Sequence, residues 1–434
     1  MSHLISAGTD KPEDTALIDS SDKSDNKVDI AVIGGGIAGL WTLARLCNLG
    51  YQAILLEAES LGCMQTGASQ GIIHGGTKYA LTGKLTHSAQ SIVQMPQRWK
   101  DCLDGVGEVD LSQAKKLSRH QYLWSNKSLA SKLTGFFASK VMSSRMQHLS
   151  TADYVPPFNQ SGFNGELYQL DESVVDVQSV IETLRTQFSD VIFQAHIEKI
   201  DALANNDDAD KKDFYQIQSV EGLNLVAQSI ILTAGSGNEK LLASLNFTQP
   251  KMQRRPLLMP MLKAEASVLP RMYAHCLGAS ALPKMSITAH SLPAGVDKQK
   301  QTVWYLGGEI AEKGVGRSIE EQIQKAKKEL HSLMPWMDFS QCQWSALAID
   351  RAEPKMPDGS RPVEPAVFND HGIITAWPVK LAMAPIMADK ILDKIDSLKI
   401  KKNPQAVFVH NKKSSAMTQA KTSQLPWEKV KNWL

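Results

Sequence analysis

The chain has no C-x-x-C pair. Its five cysteines, Cys47, Cys63, Cys102, Cys276 and Cys342, are scattered along 434 residues, which excludes a dithiol redox centre and a zinc or iron–sulfur site built on clustered thiols. His3, His87, His120, His148, His290 and His331 likewise lack His, Cys or acidic partners at ligand spacing, so no metal is expected. An excess of either charge is missing too. With 47 basic and 45 acidic residues, a net charge of +2 offers nucleic acid no electrostatic footprint. No apolar run is long enough to span a bilayer and no signal peptide is evident, so a cytoplasmic, soluble or membrane-peripheral protein is expected. Internal repeats and low-complexity blocks are also absent. What remains, 43% hydrophobic and 21% charged residues, is the composition of an ordinary globular protein. Its length favours two domains or a two-lobed unit over a single core.

The most informative segment runs from Val28 to Glu57. Val28 to Ile33 is a β-rich run, and Gly34-Gly35-Gly36-Ile37-Ala38-Gly39 fits G-x-G-x-x-G with glycines at 34, 36 and 39. Each glycine has its own reason: Gly34 permits the tight turn, Gly36 lets backbone approach a pyrophosphate, and Gly39 lets the helix pack against the strand. Leu40 to Leu49 carries a helical pattern that Gly50 stops. Ala53 to Leu56 is then a second strand leading into Glu57, whose carboxylate is placed to accept from ribose hydroxyls. Both strands, the helix and the acid together point to a dinucleotide site rather than a glycine loop serving packing alone.

The ends of the chain differ. Residues 1–27 hold six acids, three lysines and no apolar period, and are expected to be disordered. Residues 401–434 hold seven lysines against one acid, with Trp427, Val430, Trp433 and Leu434 spaced to share a helical face. That tail is read either as a membrane-surface contact or as a short helix docking its tryptophans on its own domain. Between the tails, residues 85–150 read as helix-rich. Val175 to Phe188 reads as a helix introduced by Asp171 and Asp176, followed by strands at Val191–Phe193, His196–Leu203, Phe214–Val220 and Asn224–Leu232. Ile230 to Gly235 is a buried strand ending in small residues, as where a parallel strand brings backbone beside a ligand. Residues 250–310 read as strands with proline breaks, Ile319–Leu333 as a charged surface helix, and Ile373–Ala376 with Lys380–Leu398 as a last strand and helix.

With Gly67 to Tyr79, which contains Ile73-His74-Gly75-Gly76-Thr77-Lys78-Tyr79, and with Thr233-Ala234-Gly235 and the terminal strand and helix, the motifs resemble the D-amino-acid-oxidase-like superfamily of FAD-dependent oxidoreductases. Within it, Ile73 to Tyr79 and Lys380-Leu381 look most like FAD-dependent glycerol-3-phosphate dehydrogenases, whose patterns are I-H-G-G-x-R-Y and G-G-K-L-T-T-Y-R. Three departures stand out: Lys78 replaces an arginine, Ala376-Trp377-Pro378-Val379 precedes Lys380 where members of the family often have Gly-Gly or Gly-His, and Ala382-Met383-Ala384-Pro385 replaces T-T-Y-R. Lys78 turns a guanidinium fork into a point charge. The resemblance implies an α/β chain with a Rossmann-like FAD-binding domain assembled from discontinuous segments (28–84, 166–248 and 341–400). An α+β substrate domain with an antiparallel or mixed sheet (85–165 and 249–340) completes it. An NAD-dependent dehydrogenase and a protein with a structural flavin are the alternatives; the split domain and Glu57 in its Leu-Leu-Glu-Ala setting disfavour NAD.

The resemblance also implies roles. Beside Gly34, Gly36, Ile37, Ala38, Gly39 and Glu57, the FAD contacts fall on Ala58, on Ala68, Ser69, Gln70, Gly71 and Ile73, on Ile197, and on Ala234 and Gly235. Near the end they fall on Trp377, Pro378, Val379, Lys380 and Leu381. A helix starting near Pro378 would aim its N–H groups at the flavin's pyrimidine side, with Lys380 adding a full charge. His74 is a base for a substrate hydroxyl, a covalent attachment point or a packing contact; its ordinary pKa of about 6.5 suits proton transfer. Arg351 resembles the family arginine that anchors a carboxylate or phosphate, its alternative being an ion pair with Asp350 or Glu353. Lys78 and Tyr79 would complete an anion cradle, and of Arg254 and Arg255, adjacent on a strand, at most one faces it. The implied reaction removes a hydride from a C–OH or C–N carbon of a small anionic substrate. Electrons would pass to oxygen, a quinone or another carrier.

Overall fold

Lys27–Ile33 lies in the middle of a sheet because Val28 to Ile33 is buried throughout, a continuous apolar run of the kind a two-sided parallel sheet requires. It pairs in parallel with Ala53–Glu57 on one side and Asn224–Leu232 on the other. The computed structural model describes residues 27–75, 92–126, 146–203, 214–278, 282–292, 300–378, 380–402 and 418–434. Lys78, Tyr79 and Val379 lie outside them, as does nearly all of the acidic N-terminal tail. Among the described residues this first sheet has nine strands. Ile373–Trp377 and Ile192–Gln194 extend the parallel core, while Ala366–Asp370, Phe214–Ser219, Ile197–Leu203 and Thr418–Gln419 add antiparallel pairings.

Helices Ile37–Asn48, Val177–Gln187 and Ala384–Ser397 cover one face, where Trp41 packs against Trp99 with ring centroids 4.8 Å apart. Asp176 caps the second of these helices by accepting from the Ser179 N–H at 3.0 Å. The second sheet has eight strands among the described residues, in the order 343–354, 252–265, 301–307, 285–291, 273–276, 121–126, 165–170 and 146–148. Helix Ile319–Leu333 buries Ile323, Ala326, Leu330 and Leu333 against it, behind a Ser318/Glu321 capping box. No helix among the described residues is long and apolar enough to cross a membrane.

Four expectations change. Gly165–Leu170 and Gln343–Pro354 pair in the second sheet, so the chain passes between the two units after Leu170 and after Pro354, within the segments assigned to the FAD-binding domain. Residues 85–150, read as helix-rich, contain among the described residues one helix of length, Met95–Leu103, and strands at Lys116–Ser118, Gln121–Asn126 and Met146–His148. Pro256 and Pro260 do not break Met252–Glu265. Strand 301–307 pairs only from Met261 onward, so both prolines sit where the ladder is an edge on that side. The tail's shared helical face does not form either, since the helix is only Pro426–Lys429.

The tail instead straps the two sheets together. Thr418–Gln419 joins the first sheet, and Leu61 exchanges backbone hydrogen bonds with Lys421 and Ser423 at 2.8 and 3.0 Å. Beyond the turn, Trp427 is buried against His290 and Tyr305, Lys263 Nζ lies 4.4 Å from the Trp433 ring centroid, and Leu434 and Trp344 exchange two backbone bonds of 2.8 Å.

Candidate active site

A cavity of about 1000 Å³ opens where the carboxyl ends of the parallel strands meet the second sheet. Its floor is the glycine turn. Gly34 adopts φ +111°, and a Cβ there would come within 2.5 Å of the Ala234 backbone; a Cβ on Gly39 would come within 2.0 Å of the Gly34 carbonyl oxygen. Both positions are therefore closed to any side chain. Gly36, by contrast, has φ −75° and meets only Thr66 Oγ1 at 3.1 Å. It begins helix Ile37–Asn48 without a side-chain cap, so the helix N-terminus faces the cavity as an anion site.

Several buried contacts hold this wall in shape. Thr66 Oγ1 accepts from the Ile37 N–H at 3.0 Å. Asn238, fully buried, accepts from the Ala234 N–H at 2.8 Å and donates to the carbonyls of Leu232 and Ala376. Gln70 donates to the carbonyls of Tyr305 and Ser286 at 2.9 and 3.1 Å, and the Tyr305 hydroxyl donates to the Ala68 carbonyl at 3.1 Å. Together these fix the 66–71 loop to the second sheet.

Glu57 accepts from the N–H groups of Gly35 and Glu59, at 2.5 and 2.9 Å. Burial raises its carboxyl above the ordinary range, and the two N–H donors act against that. Of the residues singled out in the sequence, Gly34, Gly36, Ile37, Ala38, Glu57 and Ala58 line the cavity. So do Ala68, Ser69, Gln70, Gly71, Ile197, Ala234 and Gly235. Pro378, Lys380, Leu381, His74 and Arg351 complete that set. Gly39, Ile73 and Trp377 stand behind the wall: Ile73 and Trp377 are fully buried, and Trp377 Nε1 donates to the Gly235 carbonyl at 2.9 Å.

The helix placed near Pro378 begins later. A short 3₁₀ turn occupies Leu381–Met383 and the α-helix starts at Ala384 with Pro385 in its first turn. Trp377 is anchored to Gly235 and Lys380 is extended, so Pro385, not Pro378, takes the helix-starting position. Trp99 Nε1 donates to the Ala382 carbonyl at 3.0 Å and pins the turn that follows Lys380.

The opposite wall carries the charges. Arg351 is largely buried, donates from Nε to the Arg255 carbonyl at 3.0 Å and reaches Glu312 at 3.4 Å; neither Asp350 nor Glu353 is its partner. Those acids belong to Arg254 and Arg255, each at 2.7 Å, and only Arg255 lines the cavity. Burial and the neighbouring Arg255 lower the Arg351 guanidinium to about 10, leaving it cationic at neutral pH. His74 Nδ1 lies 3.8 Å from Glu172, which also accepts from the Gly75 N–H at 2.7 Å. Its ring stacks on His275 with centroids 5.7 Å apart, and His275 Nδ1 meets Ser286 Oγ at 2.6 Å. His275, Ser286 and Arg361 also line the cavity, and no local pattern marked them.

The glycine turn, helix N-terminus and buried acid on one side suit a dinucleotide, and the cavity is at the large end for a small-molecule site. The sequence pattern of the FAD dependent oxidoreductase (DAO) family matches residues 29–384. The chain belongs to this family of FAD-dependent oxidoreductases. That membership sets aside the NAD-dependent reading and makes FAD the cofactor. The chain is 43% identical over 381 residues, 88% of its own length and 94% of the relative's, to the probable FAD-dependent oxidoreductase PA4991 of Pseudomonas aeruginosa. The crystal structure of PA4991 superposes with a TM-score of 0.77 at 36% identity, covering 93% of this chain and 98% of that one. A shorter match, 43% over 51 residues, 12% of this chain and 10% of the relative, links it to the aerobic glycerol-3-phosphate dehydrogenase of Escherichia coli. Glycine oxidase from Geobacillus kaustophilus and L-alpha-glycerophosphate oxidase from Mycoplasma pneumoniae share the fold, each with a TM-score of 0.60 at 12% identity. They cover 86% and 92% of this chain, and the alignments take in 95% and 99% of theirs.

Proposed function

We propose that this DAO-family enzyme oxidises a small anionic substrate at a carbon bearing a hydroxyl group, in the manner of a hydroxy-acid or polyol-phosphate dehydrogenase. The observation that carries the reading is the buried Arg351 guanidinium lining the same cavity as the glycine turn, His74 and Lys380. Arg351 pairs with the substrate's anionic group and fixes its orientation as well as its charge. His74, held near Glu172, accepts the proton released from the hydroxyl. Lys380 places positive charge where negative charge accumulates. FAD supplies the two-electron acceptor, so that the substrate carbon leaves as a carbonyl.

Oxidation of a C–N carbon to an imine is the second reading, favoured by the presence of glycine oxidase among the proteins of the same fold. The electrons pass onward to oxygen, a quinone or another carrier. A cytoplasmic setting belongs to the same proposal, since all five cysteines are free thiols.

Anaerobic bleaching of the flavin by a panel of hydroxy acids, polyol phosphates and amino acids tests the reading, after acid precipitation to detect covalent attachment. Bleaching by a hydroxy compound with formation of a plain ketone supports it. Ammonia or formaldehyde release moves the enzyme to C–N oxidation, and full occupancy with no bleaching by any member leaves the flavin a structural role.

A further inference from the structure

Charge pairing along the arginine wall does not close. Arg255 is matched by the fully buried Glu353, and Asp350 is matched by Arg254. Glu312 is left to serve Arg351 at 3.4 Å and stands 4.0 Å from Arg255 Nη2, which has no hydrogen-bond partner. Arg361 lines the same cavity, and among the described residues it makes no ion pair; its buried Nε has no hydrogen-bond partner. Asp350 Oδ1 and Glu353 Oε1 are also unbonded, but each of those carboxylates already neutralises an arginine through its other oxygen. Arg254 has a second acid, Glu239, at 3.7 Å, and the guanidinium of this wall left without an ion pair among the described residues is that of Arg361. Arg351 also feels the positive charges of both Arg255 and Arg361, which oppose its own ionisation.

A guanidinium N–H withdrawn from water without a partner is costly, and a second positive charge nearby adds to the cost. An anion in the cavity relieves both. One carboxylate is served by one fork; two forks lining one cavity, near enough for one charge to act on the other, offer more donors than a single carboxylate has oxygens.

We propose that Arg361 is a specificity-determining residue that, together with Arg351, selects substrates carrying two closely spaced negative charges. The inference rests on the anionic-substrate reading above and narrows it. The shared chemistry is a dianion, either two carboxylates joined through one carbon or one phosphomonoester. Arg361 acts on binding and does not touch the hydride or proton transfer, so its loss raises KM and leaves kcat nearly unchanged.

The test titrates the FAD-loaded protein with acetate, malonate and inorganic phosphate at fixed ionic strength, following the visible flavin spectrum. In the unaltered protein malonate or phosphate binds more tightly than acetate, and whichever is tighter identifies the source of the dianion. Arg361→Gln weakens the dianions by about tenfold or more, the loss of a charge-assisted hydrogen bond, and changes acetate by less than about threefold. Arg351→Gln weakens all three, and Arg361→Lys recovers part of the dianion preference, because charge is kept and the fork is lost. Equal FAD content among the variants confirms that each folds. If Arg361→Gln leaves the ratio of dianion to acetate affinity unchanged while Arg351→Gln abolishes binding, the inference fails and the anionic-substrate reading stands. If no anion perturbs the flavin, or Arg351→Gln has no effect on any of them, both fail.

Discussion

The Oε2 atom of Glu57 accepts the backbone N–H of Gly35 at 2.5 Å, tying the end of the second strand to the middle of the glycine turn. Burial holds this carboxyl above its ordinary range. A carboxyl raised in the folded state contributes stability that is present below its unfolded pKa, near about 4.3, and lost as pH rises through the folded value. Glu57→Gln keeps an acceptor for Gly35 and removes the buried charge. The FAD-free variant is thus expected to melt at or above the unaltered protein at pH 7 and to lose that advantage at about pH 4. FAD affinity should meanwhile fall roughly tenfold if the carboxylate serves the ribose. Thermal melts at the two pH values, and FAD titration, check both.

Two glycines of one motif should separate in their effects. Gly39→Ala puts a methyl group against the Gly34 carbonyl, with helix and turn both unable to yield, and is expected to cost about 3 kcal/mol or more. Gly36→Ala meets only the Thr66 hydroxyl at ordinary φ, so it should leave the melting temperature of the FAD-free protein within a few degrees and still weaken FAD strongly. Denaturant unfolding beside FAD titration distinguishes the two.

His290 should make stability depend on pH. Its burial under Trp427 depresses the imidazole to about 3. The contribution is complete above the unfolded value of about 6.5 and is lost as pH falls toward the folded one, at roughly 1.4 kcal/mol per unit. Between pH 7 and 5, urea unfolding of His290→Gln is expected to show a shallower fall in stability than that of the unaltered protein. Parallel slopes would contradict it.

The C-terminal strap should matter to the cofactor although it lies outside the glycine motif. Lys429 Nζ donates to the Cys63 carbonyl at 2.5 Å, and Leu61 pairs with the strap, so both support the loop that lines the cavity. Trp427→Ala removes a buried indole from Tyr305 and His290, at an expected cost of about 3–5 kcal/mol. Retained FAD per protein, measured after gel filtration, should fall in this variant more than in Lys431→Ala, which alters an exposed residue of the same tail.

What the residue order by itself determined is local. The strand, turn, helix, strand and acid from Val28 to Glu57 are contiguous, and their periods and glycine positions follow from backbone sterics and burial within about thirty residues. Arg351 and His74 were legible because recognised motifs surround them. Tertiary structure decided which charges are already spent. Arg255 and Glu353 are 98 positions apart, Gly75 and Glu172 97 apart, and Gln70 lies more than 200 from its acceptors. Arg361 resembles any surface arginine until the fold shows that its neighbours' carboxylates are taken. Likewise Trp427 and Trp433 share a helical spacing that the chain does not use, because the uncovered apolar surface of the second sheet offers those rings more burial than a free helix could. Local pattern reports what a segment can become; the partners that set its charge and burial arrive from the far ends of the chain.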